Sequence, residues 1–238
     1  MRYEAVLLDL DDTLYPYAPC NEAGKRAALA AFRERGYDID RDRFDDLYAT
    51  GREEAKRELR GTAASHERFI YFKRALRSHA DHHDAADALA IGEAYWEGYI
   101  DRMEPFDGVT EVLASVRESG SAVGVVTNLT TRVQLEKLER LGIDDHVDRL
   151  VTSEEVGREK PSALPFTTML AALDIPPSDA VMVGDNPTAD VEGANAVGMD
   201  SVLFTGGSRE PPAPDALSGV AEPDHRVDEF AALTEVIA

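Results

Sequence analysis

Three apolar runs, Val6-Leu7-Leu8, Val123-Gly124-Val125-Val126 and Val181-Met182-Val183, carry no polar alternation, and each stops abruptly at a polar residue or glycine. Strands buried on both faces read this way, so the runs predict the inner strands of a parallel sheet. Ligands of such sheets gather beyond the carboxyl ends of the strands. There the chain places Asp9-Leu10-Asp11-Asp12-Thr13, Thr127-Asn128, and Gly184-Asp185 with Asp190 five residues on, while Lys160-Pro161 follows a further predicted strand at 149–152. One site is therefore expected to collect all four segments.

From residue 105 onward, helical patterns at 108–119, 131–141, 164–173 and 188–196 alternate with strand patterns at 122–127, 149–152, 180–184 and 201–204. That alternation predicts a doubly wound α/β fold, with helices on both faces of the sheet. A short strand at 225–227 and a helix at 230–237 follow. The first strand signal, at 5–10, lies about 110 residues before the next, whereas a βαβ crossover needs only a few dozen. Between them, 21–35, 41–59, 66–79 and 85–103 read as helices, with apolar residues such as Phe69, Phe72 and Leu76 at three-to-four spacing. The expected division is an α/β core of residues 1–16 and 105–238 and an inserted all-α domain of residues 17–104.

Charge narrows the partners. Asp and Glu number 46 against 25 Lys and Arg, and the resulting −21 opposes binding to nucleic acid or to an anionic membrane. No apolar run approaches the roughly eighteen residues that a membrane span needs. Cys20, the sole cysteine, excludes an intramolecular disulfide. The expectation is a cytoplasmic protein with a small-molecule partner; oligomeric state and substrate identity are not written in the sequence. Lysine occurs only at positions 25, 56, 73, 137 and 160. This acidic, lysine-poor surface suggests a halophilic protein, because counterions at high salt screen its self-repulsion. Its melting temperature is expected to rise between low and molar KCl, and a flat or falling trend in that scan contradicts the reading.

Asp9 and Asp11 end a buried strand, where the turning chain lets both carboxylates enter one pocket as nucleophile and general acid; the alternative is a cap on the next segment. With Asp185 and Asp190, four carboxylates converge. One Mg²⁺, the Lys160 ammonium and a proton on Asp11 bring the site to neutrality, and hard oxygen ligands favour Mg²⁺. Thr127 and Asn128 offer a hydroxyl and an amide near the start of the 131–141 helix, as an anion site or an N-cap. His79, His82 and His83 have metal-ligand spacing but read as a solvated helix end, and Arg57, Arg60, His66, Arg68, Lys73 and Arg77 read as helix-surface partners of nearby glutamates, with contact to a second anionic group of the substrate as the alternative.

Taken together, these segments resemble the haloacid dehalogenase-like (HAD) superfamily. Its first motif, DxDx(T/V) after apolar residues, is matched by Asp9, Asp11 and Thr13; its second by Thr127; its basic third by Lys160; and its GDxxxxD fourth by Gly184, Asp185 and Asp190. Asp12 stands where many relatives have glycine. The resemblance implies a Rossmann-like core with a helical C1-type cap at 17–104, and a Mg²⁺-dependent phosphatase. In that reading Asp9 forms an aspartyl-phosphate, and Asp11 serves as acid and then base. Asp9, the Asp11 main-chain carbonyl and Asp185 hold the metal, Thr127, Asn128 and Lys160 bind the phosphoryl group, and Thr13 and Asp190 support the site. Asp11 favours a phosphatase over a dehalogenase, whose halide leaves unprotonated. The alternatives are a 2-haloacid dehalogenase-type hydrolase, a phosphomutase, or a non-catalytic regulator that binds a phosphometabolite.

Overall fold

Strands β1 (Ala5–Leu8), β2 (Ala122–Thr127), β3 (Arg149–Thr152), β4 (Ala180–Gly184), β5 (Asp200–Phe204) and β6 (His225–Val227) run parallel in one sheet of order β3-β2-β1-β4-β5-β6. The computed structural model describes residues 3–80, 84–207, 210, 212–213 and 216–237. It divides into two units, Met1–Tyr17 with Glu104–Ala238, and Ala18–Met103. Within the sheet, β1 lies between β2 and β4, with Leu8 opposite Val125 on one side and Val183 on the other. Every residue of β1 and β4 is buried, which is why their sequences show no alternation.

The helical unit contains α1 (Tyr17–Glu34, from its second residue), α2 (Arg41–Glu58), α3 (Arg68–Ala80) and α4 (Ala85–Asp101). Helix α1 starts four residues before the predicted boundary, because Pro19 fits in a first turn, where no N–H is needed. Phe32, Phe44, Tyr48, Phe72 and Tyr95 form its aromatic centre at ring separations of 5.7–6.5 Å. At the α2–α3 crossing a Cβ on Gly51 would lie 2.7 Å from the Tyr71 carbonyl oxygen, so only glycine permits this approach. Arg68 is not the surface partner that the sequence suggests. It is buried, its guanidinium lies 5.1 Å from the Trp96 ring, and its Nη1 donates to the His66 carbonyl. Of the histidine cluster, His82 and His83 lie outside the described residues. Among the described residues, no helix is long and apolar enough to cross a membrane.

Around the sheet stand α5 (Val109–Glu118), α6 (Thr131–Leu141), α7 (Ser153–Val156), α8 (Ala163–Leu173), α9 (Gly193–Val197) and α10 (Leu233–Ile237). Leu7, Met182, Phe166 and Met169 meet in a core between the sheet and α8. The doubly wound α/β architecture is the expected one. One element departs from expectation: the predicted helix 188–196 is a π-helical turn, Pro187–Glu192, followed by the short α9. The Asn186 carbonyl accepts from both Asp190 N (2.9 Å) and Val191 N (3.4 Å), which widens the turn. That widening sets where Asp190 points.

Candidate active site

Lys160 is the hub. Its Nζ donates to Asp9 Oδ1 (2.7 Å), Asp190 Oδ1 (2.6 Å) and the Val126 carbonyl (2.6 Å), which uses all three of its protons inside the fold. Burial opposes the charge on Lys160, but Asp190 and Asp9 outweigh it and hold the ammonium protonated above its ordinary range. Asp9 sits one residue beyond β1, its N–H still bonded to the Val183 carbonyl (2.9 Å). Burial drives its carboxyl well above the usual carboxylate range; Lys160 pulls the other way, while Asp190, Asp185 and Asp11 add to the rise.

The surrounding residues fix these groups. Asp190 is 1% exposed, and its Oδ2 accepts from Asn186 N (3.0 Å). A Cβ on Gly184 would collide with this carboxylate, so the glycine of the fourth segment is a requirement of space. Thr13 Oγ1 accepts from Asp185 N (3.1 Å), tying the end of β4 to the loop after β1. Asp12 has φ +67°, a left-handed conformation that glycine adopts freely and Asp tolerates, and its Oδ1 accepts from Tyr17 N (3.0 Å).

Two of the expected residues have partners that the sequence does not reveal. The Asn128 amide meets the main chain of Lys160. Its Oδ1 accepts from Lys160 N (2.9 Å) and its Nδ2 donates to Lys160 O (3.3 Å), so it clamps the main chain beside the hub. Asp11 has a basic partner that the sequence-based charge count left out. Asp11 Oδ1 accepts from Lys137 Nζ (2.6 Å) and from the Tyr15 hydroxyl, and Oδ2 accepts a longer contact from Gln134 Nε2 (3.4 Å). Gln134 also donates to Thr127 Oγ1 (2.6 Å). Lys137 and Gln134 escaped the sequence reading, whereas Tyr15 follows directly on the first motif. The signal was present: residues 134, 137, 138 and 141 share one face of α6, and Leu138 and Leu141 mark that face as buried.

The donor set fits a divalent cation. Oxygens of Asp9, Asp185 and Asp190 all lie within 4.8 Å of one another, and all three residues are buried. Lys160 pairs with Asp9 and Asp190 and Lys137 with Asp11, so with Asp185 the four acidic groups of the site outnumber its two ammonium groups. The Asp11 carboxylate stands apart from the three-carboxylate cluster, so its side chain is not among the clustered donors.

The sequence pattern of the haloacid dehalogenase-like hydrolase family matches residues 3–198. The chain belongs to this family. Among its HAD-like relatives, the ribulose-1,5-bisphosphate 5-phosphatase of Halopiger xanaduensis is 50% identical over 237 residues, covering 98% of this chain and 99% of the relative. The glyceraldehyde 3-phosphate phosphatase of Methanopyrus kandleri is 32% identical, covering 98% and 97%. The crystal structure of a 2-haloacid dehalogenase from Pseudomonas syringae matches with a TM-score of 0.75 at 25% identity, covering 99% of this chain and 98% of that one. Proteins named for either reaction thus share the HAD-like fold, and the site residues must decide between them.

Proposed function

We propose that this HAD-like hydrolase cleaves phosphate monoesters of small molecules, with Mg²⁺ as its cofactor, Asp9 as nucleophile and a sugar bisphosphate of the ribulose-1,5-bisphosphate type as its substrate. The observation that carries the reading is the second carboxylate, Asp11, two residues after Asp9. An ester oxygen leaves as a poor anion and needs a proton, whereas a halide does not. The 50%-identical relative supports the phosphatase over the dehalogenase and suggests the substrate.

Asp9 attacks phosphorus in line, forming an acyl-phosphate bond as the ester P–O bond breaks, and Asp11, which enters this step protonated, gives that proton to the departing oxygen. Asp11 then takes a proton from a water molecule, whose oxygen attacks phosphorus and releases Asp9 and inorganic phosphate. Lys160 stays bound to Asp9 throughout and neutralises charge on the transferring group, and Thr127 meets its oxygens. Mg²⁺, held by the Asp9 and Asp185 carboxylates and the Asp11 main-chain carbonyl, supplies positive charge for the phosphoryl oxygens when bound. Residues 17–104 are the cap in this reading and carry substrate selectivity; the enzyme works in the cytoplasm.

Phosphate release from ribulose 1,5-bisphosphate and from p-nitrophenyl phosphate, measured with Mg²⁺ and with a chelator, tests the proposal. Chelation is expected to abolish release and Mg²⁺ to restore it. Metal at a hundred times its dissociation constant is expected to stabilise the fold by about 2.7 kcal/mol through mass action, read as a rise in melting temperature. Metal-independent chloride release from 2-chloropropionate, without phosphate release, would overturn the assignment.

A further inference from the structure

We propose that Lys137 is a positioning residue for Asp11, holding the acid–base carboxylate in one orientation so that proton transfer to the leaving oxygen starts from a fixed geometry. The inference rests on the phosphatase reading above. Lysine is rarely buried, since its charge costs several kcal/mol to desolvate without a partner. Yet the Lys137 side chain is 1% exposed and meets Asp11 Oδ1 at 2.6 Å. Its ammonium also lies 5.8 Å from the ring centroid of Tyr15, whose hydroxyl donates to the same oxygen.

Gln134, one turn earlier on α6, contacts the other oxygen, so the carboxylate is gripped at both ends. Two donors at Oδ1 and one at Oδ2 fix the plane of the carboxylate as well as its position. The same Gln134 amide bonds Thr127, which couples the orientation of the acid to the residue that meets the phosphoryl group.

A general acid matters in proportion to how badly the leaving group needs a proton. Nitrophenolate departs well without one; phenolate does not. The experiment compares kcat/KM for p-nitrophenyl phosphate and phenyl phosphate, two substrates of similar shape, in wild type, Lys137→Met and Lys137→Gln, with Mg²⁺ and with melting temperatures recorded. Misplacement of Asp11 is expected to lower kcat/KM on phenyl phosphate by about 10- to 100-fold in Lys137→Met and on p-nitrophenyl phosphate by less than about 3-fold. Lys137→Gln, which keeps a donor, is expected to fall between wild type and Lys137→Met. Equal losses on the two substrates, or no loss on either, in whichever variant folds, would overturn the positioning role while leaving the phosphatase reading intact. A wild type that releases phosphate from neither substrate overturns that reading and this inference with it.

Discussion

Asp9→Asn is expected to lower phosphate release by at least about four powers of ten, because an amide oxygen cannot replace a carboxylate as the group that bonds phosphorus. The size of the loss matters less than what accompanies it. Asp9 is buried among Asp185, Asp190 and Asp11, and its charge is disfavoured there. Neutralising it relieves part of that repulsion in the metal-free protein. The variant is therefore expected to fold, with a metal-free melting temperature at or above that of wild type, while its gain in stability on adding Mg²⁺ shrinks. Full inactivity with an intact melting curve separates lost chemistry from lost structure. Turnover within tenfold of wild type would mean that another group forms the covalent bond.

Lys160→Met carries the second large expected effect, and it falls on stability first. Removing the ammonium leaves Asp9 and Asp190 facing each other in the interior, where they now lie 2.7 Å and 2.6 Å from their shared cation. Breaking a buried ion pair from one side costs about 3–5 kcal/mol. For a chain of this size each kcal/mol moves the melting temperature by about 2–4 °C, so a fall of roughly 6–20 °C is expected in metal-free protein. Added divalent metal is expected to recover part of the loss, since it supplies positive charge to the same carboxylates, without restoring turnover. A melting temperature within a degree of wild type would show that Lys160 is not the hub of the site.

The sequence disclosed the elements that obey a single rule. Val181-Met182-Val183 reads as a buried strand because nothing but burial on both faces tolerates it, and β4 is buried throughout. The residues that end the central strands, Asp9, Thr127 and Asp185, were legible because strand ends of a parallel sheet converge. What escaped depended on exceptions. Lys137 looks like any surface lysine until its helix face is compared with Leu138 and Leu141. Asn128 carries an amide suited to an anion, and only three-dimensional placement shows that Lys160's main chain takes it. The π-helical turn at Pro187–Glu192 is invisible because its composition is that of an ordinary helix, and the difference lies in one carbonyl serving two donors.

Sheet order has a consequence for how the enzyme comes into being. The strand that leads into Asp9 is made early, yet both strands that must flank it lie more than a hundred residues further along, and the helical unit is made in between. On the ribosome, β1 must wait as a bare apolar segment while the residues of the helical unit are synthesised. Catalytic competence is thus a late event of synthesis: until β4 has left the exit tunnel, the nascent chain holds Asp9 without Asp185, Asp190 or Lys160 in place around it. A truncated nascent chain stalled before β4 would carry Asp9 and yet lack the residues that surround it.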